Sequence, residues 1–238
     1  MSKKISISKY IAYLYLILLC VIWVIPVLFG ISTSFRSQSE VVSTGFRLLP
    51  VEWILDNYVT ILENTSTAPI LRWLTNSVFI AVTQTFLVIV IISITGYGYA
   101  RMNFKGRDTL FFTLLGISFF PGVVNIIPSY KIIDIFGWVN TAWAMIIPGL
   151  AGMGNIFLVR QFLKGIPTDL DESARVDGAG DFRIYSYIIL PLIKPILIVC
   201  GLFSFVGSWN DFLWPVIVYT DVDKMPVTAG LLLLQDIY

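Results

Sequence analysis

The chain has 238 residues, of which 57% are hydrophobic and 13% are charged, and its mean hydropathy is +0.83. An average soluble domain has about 25% charged residues. This composition therefore excludes an ordinary soluble domain and predicts one all-α, polytopic transmembrane domain over residues 1–238. The net charge of +1 argues against nucleic acid as a partner. With no histidine, and two cysteines inside apolar runs, we expect neither a metal site nor a disulfide.

Five apolar segments are long enough to cross a bilayer, which takes about 20 residues. They cover about 11–31, 77–100, 110–133, 142–159 and 192–219. Pro121 and Pro128 interrupt the third segment, Pro148 lies in the fourth, and Pro195 stands near the start of the fifth. The first segment is longer than the apolar core of about 7–15 residues in a signal peptide, which predicts a retained span. The apolar run 227–234 is too short to form another.

Lysine and arginine are distributed unequally between the two ends of these spans. With the N-terminus in the cytoplasm, eleven of the sixteen fall on the cytoplasmic side and five on the outer side. Cytoplasmic loops of membrane proteins carry such an excess. The count therefore predicts a cytoplasmic N-terminus, a cytoplasmic loop at 167–191 and an outer segment at 32–75. Trp53, Tyr58 and Trp73 suit the outer segment to a membrane surface.

The cytoplasmic loop has the densest charge in the chain, and its sequence predicts two helices. Thr168 can cap the first helix through its hydroxyl, with Asp171 as the acid of a capping box. Gly178 and Gly180 then predict a break, because glycine accepts the left-handed conformation at a helix end. Asp181 can cap the next helix. We expect an L-shaped element, with one helix along the membrane surface and then a turn into the fifth span.

Four anchors in this loop have a recognisable spacing: Glu172-Ser-Ala174, then Gly178, then Ile188-x-Leu-Pro191. They resemble the signature loop, called the EAA loop, of permease subunits of binding-protein-dependent ABC importers. Ser173 stands where that family commonly has alanine, which is a small change. Further segments are similar to the sugar-importer branch of the family, the maltose type with its G-like permease. They are Pro50–Tyr58, Asn76-Ser77, Gly96–Arg101, Phe104–Arg107, Pro128–Tyr130, Trp138–Thr141 and Trp209–Pro215.

The resemblance implies a helix bundle of the ABC importer permease (MetI-like) type in the bacterial cytoplasmic membrane. It implies a subunit that forms half of the translocation path for a carbohydrate such as an oligosaccharide. The implied partners are a second permease subunit in a heterodimer, two copies of a cytoplasmic ATPase subunit, an extracytoplasmic sugar-binding protein and membrane lipid. Such permeases also have a sixth span, which is expected but absent from this chain.

The resemblance also implies which residues couple the subunit to the ATPase, whose cleft receives the short surface helix. These are Asp169, Leu170, Glu172, Ser173, Ala174, Asp177, Gly178 and Ala179. Glu172 would pair with a basic group in the cleft, and Gly178 would set the bend. Leu170, Ser173 and Ala174 share one face of the helix, where short side chains permit close approach of another surface.

The chain lacks the motif that binds nucleotide phosphates. There is no GxxxxGK[ST] sequence, and the glycine cluster at 149–154 has no lysine. That cluster lies in a predicted span, where small residues let helices approach each other. We therefore expect neither an enzyme nor a cofactor in this chain, with ATP hydrolysed by a partner subunit.

Asp211 is the only acid deep in an apolar segment, where a charged residue costs roughly 2.5–3.5 kcal/mol. One interpretation is structural, a pairing with Asn210 or with a neighbouring helix. The other is that this acid lines the path together with Trp209, Asn210 and Trp214. Hydroxyl-binding groups and flat aromatic faces suit sugar rings. The sequence leaves both interpretations open.

Other functions are open as well. A permease for another small solute and an assembly scaffold both fit the sequence. A secondary transporter needs embedded ionisable residues for ion coupling, and Asp211 alone is a poor set. A membrane-embedded enzyme fits worst, since the predicted spans contain no paired acids, metal ligands or evident nucleophile.

Overall fold

The computed structural model describes residues 7–43, 47–63, 68–150 and 152–235. Within these ranges every regular element is a helix, which confirms the predicted all-α class. Lys3 and Lys4, two of the cations in the topology count, and residues 236–238 lie outside the described ranges. The chain divides into two compact units, Met1–Ser66 and Thr67–Tyr238, and each is described by itself.

The first unit is built on α1 (Ile7–Ser34), followed by α2 (Gln38–Ser43) and α3 (Asp56–Glu63). Residues 9–34 of α1 form a candidate membrane span with a hydropathy of 2.8, and none of its most apolar window is buried within the protein. This exposed apolar surface matches the predicted first span and suits contact with lipid. Beyond α1 the chain folds back, and the Asn57 amide donates hydrogen bonds to the carbonyls of Ser34 and Arg36 (3.0 and 2.8 Å).

The second unit is organised around α4 (Ile70–Arg101), an unbroken candidate span with a hydropathy of 2.5. It begins earlier than the predicted start at Ser77. Trp73 lies in its first turn and is fully buried, so the prediction that this tryptophan faces a membrane surface is wrong. The reason is a tertiary contact: its indole N–H donates to the Val222 carbonyl (2.7 Å), and Gly230 lies against its ring.

The predicted third span is not one straight crossing. It consists of α5 (Arg107–Ser118), a 3-10 turn (Gly122–Asn125) and α6 (Ile126–Ile135), and the two arms are bent by 91°. Pro121 has no amide hydrogen to donate and disfavours a helical conformation in the residue before it, so the helix ends there. Pro128 lies in the first turn of α6, where proline is tolerated.

The predicted fourth span is also broken, by a smaller angle. It consists of α7 (Ala142–Ile146), a 3-10 turn (Pro148–Leu150) and α8 (Met153–Lys164), with a bend of 42°. The break coincides with Pro148, which the sequence places inside the apolar run. Because α8 continues to Lys164, it extends beyond the predicted end at Val159.

The loop that follows has the predicted L shape. It contains α9 (Asp169–Val176), α10 (Asp181–Ile184), a π-helical turn (Tyr185–Ile189) and α11 (Leu190–Leu192). The run 181–192 meets α12 (Lys194–Asn210) at 74°. If each bent pair counts as one crossing, the described residues supply the five predicted spans.

The predicted fifth span is wrong at its end. The helix α12 stops at Asn210, Asp211 has an extended backbone (φ −64°, ψ 128°), and a separate short helix α13 (Leu213–Val218) follows. Pro215 has no N–H to donate to the carbonyl four residues earlier, that of Asp211. This carbonyl accepts a hydrogen bond from Thr228 Oγ1 (2.7 Å) on α14 (Val227–Gln235) instead.

Candidate functional site

The start of α9 differs from the predicted capping box. Thr168 has helical dihedral angles (φ −73°, ψ −19°), and its hydroxyl makes no capping hydrogen bond. A capping side chain normally belongs to a residue with an extended backbone. The Thr168 carbonyl instead accepts from the amides of Asp171 and Glu172 (2.9 and 3.1 Å). Both predicted roles, Thr168 as cap and Asp171 as capping-box acid, are therefore wrong.

Asp171 is a buried anchor for α9. Its Oδ2 lies 3.0 Å from Nε of Arg101, the last residue of α4, and the two side chains are 10% and 7% exposed. Arg101 also donates to the Ile166 carbonyl (2.7 Å), just ahead of α9. This pair was missed from the sequence, where the only signal is an arginine at the cytoplasmic end of a long apolar span. The pair ties the loop helix directly to the longest helix of the unit.

The end of α9 has the predicted turn at Gly178. Its φ is +81°, its amide donates to the Arg175 carbonyl (3.0 Å), and the Ala179 amide donates to the Ala174 carbonyl (2.9 Å). These two bonds form a Schellman motif, in which glycine at the left-handed position avoids strain at its Cβ. Gly180 is extended rather than left-handed, so its predicted helix-breaking role in that conformation is wrong.

Asp181 does not cap α10, contrary to prediction. Gly180 occupies the cap position without a side-chain bond, and the Asp181 carboxylate forms an ion pair with Arg175 on α9. Both partners are about half exposed. The pair closes the bend between α9 and α10 from the solvent side, but an exposed ion pair of this kind contributes only about 0–1 kcal/mol.

The eight residues assigned to ATPase coupling fall on two sides of α9 and its turn. Ala174 and Ala179 are half-buried and pack against the hydrophobic core of the second unit. The other six are exposed: Asp169, Leu170, Glu172, Ser173, Asp177 and Gly178. Three large apolar side chains that the sequence did not single out are exposed nearby, at 78–88% of their surface: Val176, Phe182 and Tyr187. The loop thus presents an exposed, partly apolar surface on an anchored helix.

A second buried arginine holds the helices beneath the loop. Arg160, on α8, is 1% exposed and donates to Asp108 Oδ1 (2.5 Å) and to the Tyr99 carbonyl (3.4 Å). Its guanidinium lies 4.1 Å from the centre of the Phe111 ring, a cation–π arrangement. These contacts join α4, α5 and α8 at the end of the bundle that carries the loop.

The three breaks in the predicted spans meet at a cavity of about 420 Å³. Its lining comes from α4, from α6 and the turn before it, from α7 and the turn after it, and from the break between α12 and α13 together with the start of α13. The residues are Gln84, Gly122, Val123, Asn125, Ile126, Ser129, Met145, Pro148, Gly149, Asp211, Leu213 and Trp214. Irregular backbone within a bilayer is tolerated where it is covered by protein or lines a cavity. The cavity therefore explains why irregular backbone is tolerated at these three breaks.

Two of the four predicted path residues line this cavity. They are Asp211 and Trp214, whose indole N–H donates to the Ala144 carbonyl (2.8 Å). Trp209 instead stacks on Phe205, with ring centres 5.9 Å apart, and Asn210 is exposed outside the cavity lining. Across the described ranges, no cluster of three or more His, Cys, Asp or Glu side chains could hold a metal ion.

Comparison with known proteins gives a consistent result. The family described as "Binding-protein-dependent transport system inner membrane component" matches residues 6–235. The diacetylchitobiose uptake system permease protein NgcG of Streptomyces coelicolor is 33% identical over 93% of this chain and 72% of its own length. The polygalacturonan/rhamnogalacturonan transport system permease protein YtcP of Bacillus subtilis is 33% identical over 90% and 73%.

The fold also matches a solved structure. The crystal structure of a bacterial ABC transporter involved in the import of the acidic polysaccharide alginate superposes with a TM-score of 0.82. The match covers 97% of this chain and 82% of the chain in that structure, at 23% sequence identity. The two chains therefore share a fold.

Proposed function

Because the chain belongs to the family of binding-protein-dependent transport system inner membrane components, we propose that it is a permease subunit of an ATP-driven carbohydrate importer. Similar proteins carry names that refer to diacetylchitobiose and to polygalacturonan, which supports a saccharide as the solute. The subunit lies in the cytoplasmic membrane, and we place its N-terminus in the cytoplasm on the excess of cations there.

The observation that carries the proposal is the two-sided environment of α9. On one side Asp171 is buried against Arg101 of α4, while on the other Leu170 and Glu172 are exposed. A surface helix held this firmly can transmit a displacement to the span beneath it. We propose that its exposed side docks in the cleft of a cytoplasmic ATPase, with Glu172 facing a basic group there.

We propose the rest of the assembly from the family to which the chain belongs. A single subunit with one such helix engages one ATPase, so two ATPase copies need a second permease subunit with a matching loop. We propose that this chain and that subunit each form half of the translocation path. The ATP is bound and hydrolysed by the ATPase, and an extracytoplasmic binding protein delivers the solute.

Reconstitution into proteoliposomes with the partner subunits tests this function. We expect uptake of a labelled oligosaccharide only when ATP and the binding protein are both present. The variant Gly178→Val places a β-branched residue at φ +81°, where even an ordinary side chain costs about 1–2 kcal/mol. We expect it to reach the membrane normally but to lose most uptake.

The matched control is Gly180→Val. This glycine is extended, and a Cβ there meets no atom within 4 Å, so uptake should stay close to the wild-type rate. Normal uptake by Gly178→Val would contradict the role assigned to the loop. Uptake without any ATPase would contradict the proposed function and favour a secondary transporter.

A further inference from the structure

The cavity at the three helix breaks has an uneven distribution of charge. Among the described residues that line it, Asp211 is the single charged one. The other polar side chains are neutral, namely those of Gln84, Asn125 and Ser129. Gln84 is positioned by Ser208, whose hydroxyl donates to its Oε1 (3.0 Å), and it lies close against Gly149. The cavity therefore carries one acidic side chain, three neutral polar side chains and no cation in its described lining.

Within the part of the chain that the structure describes, no lysine or arginine forms an ion pair with Asp211. Each of the seven ion pairs among the described residues involves another acid, so no lysine or arginine nitrogen lies within 4.0 Å of the Asp211 carboxylate. The carboxylate instead interacts with the backbone amides of Phe212 and Trp214. Amide donors satisfy a carboxylate without cancelling its charge. A ligand in the cavity would therefore experience the field of an uncompensated carboxylate.

These groups suit a neutral saccharide. Sugar hydroxyls donate to carboxylate and amide oxygens and accept from amide nitrogens, all of which the lining offers. The indole N–H of Trp214 is already bonded to Ala144, so the face of its ring is the part left to contact a sugar. A uronate, by contrast, would bring a second carboxylate into the cavity. Two like charges 4 Å apart repel by several kcal/mol at the dielectric constant of a protein surface, which is more than a tenfold effect on binding.

We propose that this cavity is a saccharide subsite that accepts neutral sugars and disfavours uronates, and that Asp211 sets this preference. The inference rests on the proposed carbohydrate import. Overall similarity does not decide the question, because the chain is equally similar, at 33% identity, to a permease named for diacetylchitobiose and to one named for polygalacturonan. The local charge of the cavity does distinguish the two classes of substrate.

The test uses the assembled complex of both permeases and the ATPases in detergent. The binding protein is left out, so that any preference between ligands comes from the membrane subunits. The probes are trigalacturonate and its trimethyl ester, which share rings and linkages but differ in charge. We expect the wild-type complex to bind the ester at least about tenfold more tightly than the acid. Asp211→Asn should reduce this ratio about tenfold, since asparagine keeps the backbone interactions but removes the charge.

The charge-matched control is Asp134→Asn, an exposed acid on α6 outside the cavity lining, which should leave the ratio unchanged. An unchanged ratio in Asp211→Asn would overturn the inference. If that variant fails to assemble, Asn125→Asp adds a carboxylate to the same cavity and should widen the ratio, and failure to do so would also overturn it. If the Asp211→Asn complex transports neutral sugar but shows an unchanged ratio, the proposed subsite is wrong and the proposed carbohydrate import still holds. If no complex binds either probe and no ATP-driven uptake of a saccharide is measured, both the proposed carbohydrate import and the subsite are wrong.

Discussion

Arg101 closes α4 and contacts Asp171 on α9 at 3.0 Å, and both side chains are almost completely buried. The second carboxylate oxygen of Asp171, Oδ1, is buried without a hydrogen-bond partner among the described residues. Asp171 therefore depends on Arg101 for the compensation of its charge. Among the described residues, this is the one ion pair between α9 and α4.

Removal of one partner should destabilise the subunit strongly. A buried ion pair that loses one member leaves an unpaired charge, which costs about 3–5 kcal/mol. We expect Arg101→Met and Asp171→Leu each to lower the thermal unfolding midpoint of the purified complex and to reduce uptake. The double variant replaces the pair by apolar side chains, which is often nearly neutral, and should recover most of the stability.

The control for this pair is Arg72→Ala, which breaks the exposed pair of Arg72 and Asp223. Exposed pairs contribute about 0–1 kcal/mol, so its midpoint should barely change. A double variant as unstable as the two single variants would show that the pair does not account for the loss. If the double variant recovers stability but not uptake, the pair also has a role in transmitting movement from α9 to α4.

The second buried arginine should depend on its flat guanidinium as well as on its charge. The Arg160 guanidinium lies over the Phe111 ring, 4.1 Å from its centre, whereas its acid partner Asp108 is 55% exposed. A desolvated cation–π contact contributes about 2 kcal/mol, and lysine cannot reproduce the stacked geometry. We expect Arg160→Lys, which keeps the positive charge but loses the contact with the ring, to lower the unfolding midpoint. Asp108→Ala leaves the buried guanidinium without its acid and should also lower it. An unchanged midpoint in Arg160→Lys would show that the charge alone anchors this residue.

The sequence predicted the elements of this fold better than their junctions. Apolar length located the spans, and the pattern of polar residues and Gly178 indicated the bent loop. Proline at position 121 signalled a break but not its angle of 91°, which depends on what the second arm packs against. The end of α12 at Asn210 was missed because the partner of the freed Asp211 carbonyl, Thr228, lies on another helix.

The candidate sites were predictable to different degrees. The loop was found because its residues are close together in sequence and their spacing is distinctive. The Arg101–Asp171 pair and the cavity were missed because both join segments that are distant along the chain. Ala174 illustrates the limit: its spacing on the helix is clear, but only packing shows that it faces the core of its own unit.

Two glycines on α4 provide a matched test of helix packing. A Cβ at Gly96 would lie 2.5 Å from Val159 Cγ1 on α8, whereas one at Gly98 would meet nothing within 4 Å. Overpacking of a tight contact costs typically about 1–3 kcal/mol. Gly96→Ala should therefore lower the unfolding midpoint, and Gly98→Ala should leave it unchanged or raise it. Addition of Val159→Ala to Gly96→Ala should recover part of the loss. Equal effects of the two alanine substitutions would contradict this close contact.

Asn140 links its own turn to the turn at Thr220 and Asp221, and it does so in a backbone conformation that few residues adopt. Its φ is +60°, a conformation that asparagine tolerates better than most side chains. Its Oδ1 accepts from the amides of Thr220 and Asp221 (2.7 and 2.9 Å), and its Nδ2 donates to Thr220 Oγ1 (2.8 Å).

Substitutions of Asn140 can separate these two contributions. Asn140→Gly keeps the backbone conformation but loses three hydrogen bonds, each contributing about 0.5–1.5 kcal/mol. Asn140→Ala loses the same bonds and adds about 1–2 kcal/mol of backbone strain. Asn140→Asp keeps both acceptor bonds, and the Thr220 hydroxyl can donate to its carboxylate. Unfolding midpoints should therefore fall in the order Asn, Asp, Gly, Ala. Equal midpoints for the glycine and alanine variants would contradict the left-handed backbone at this position.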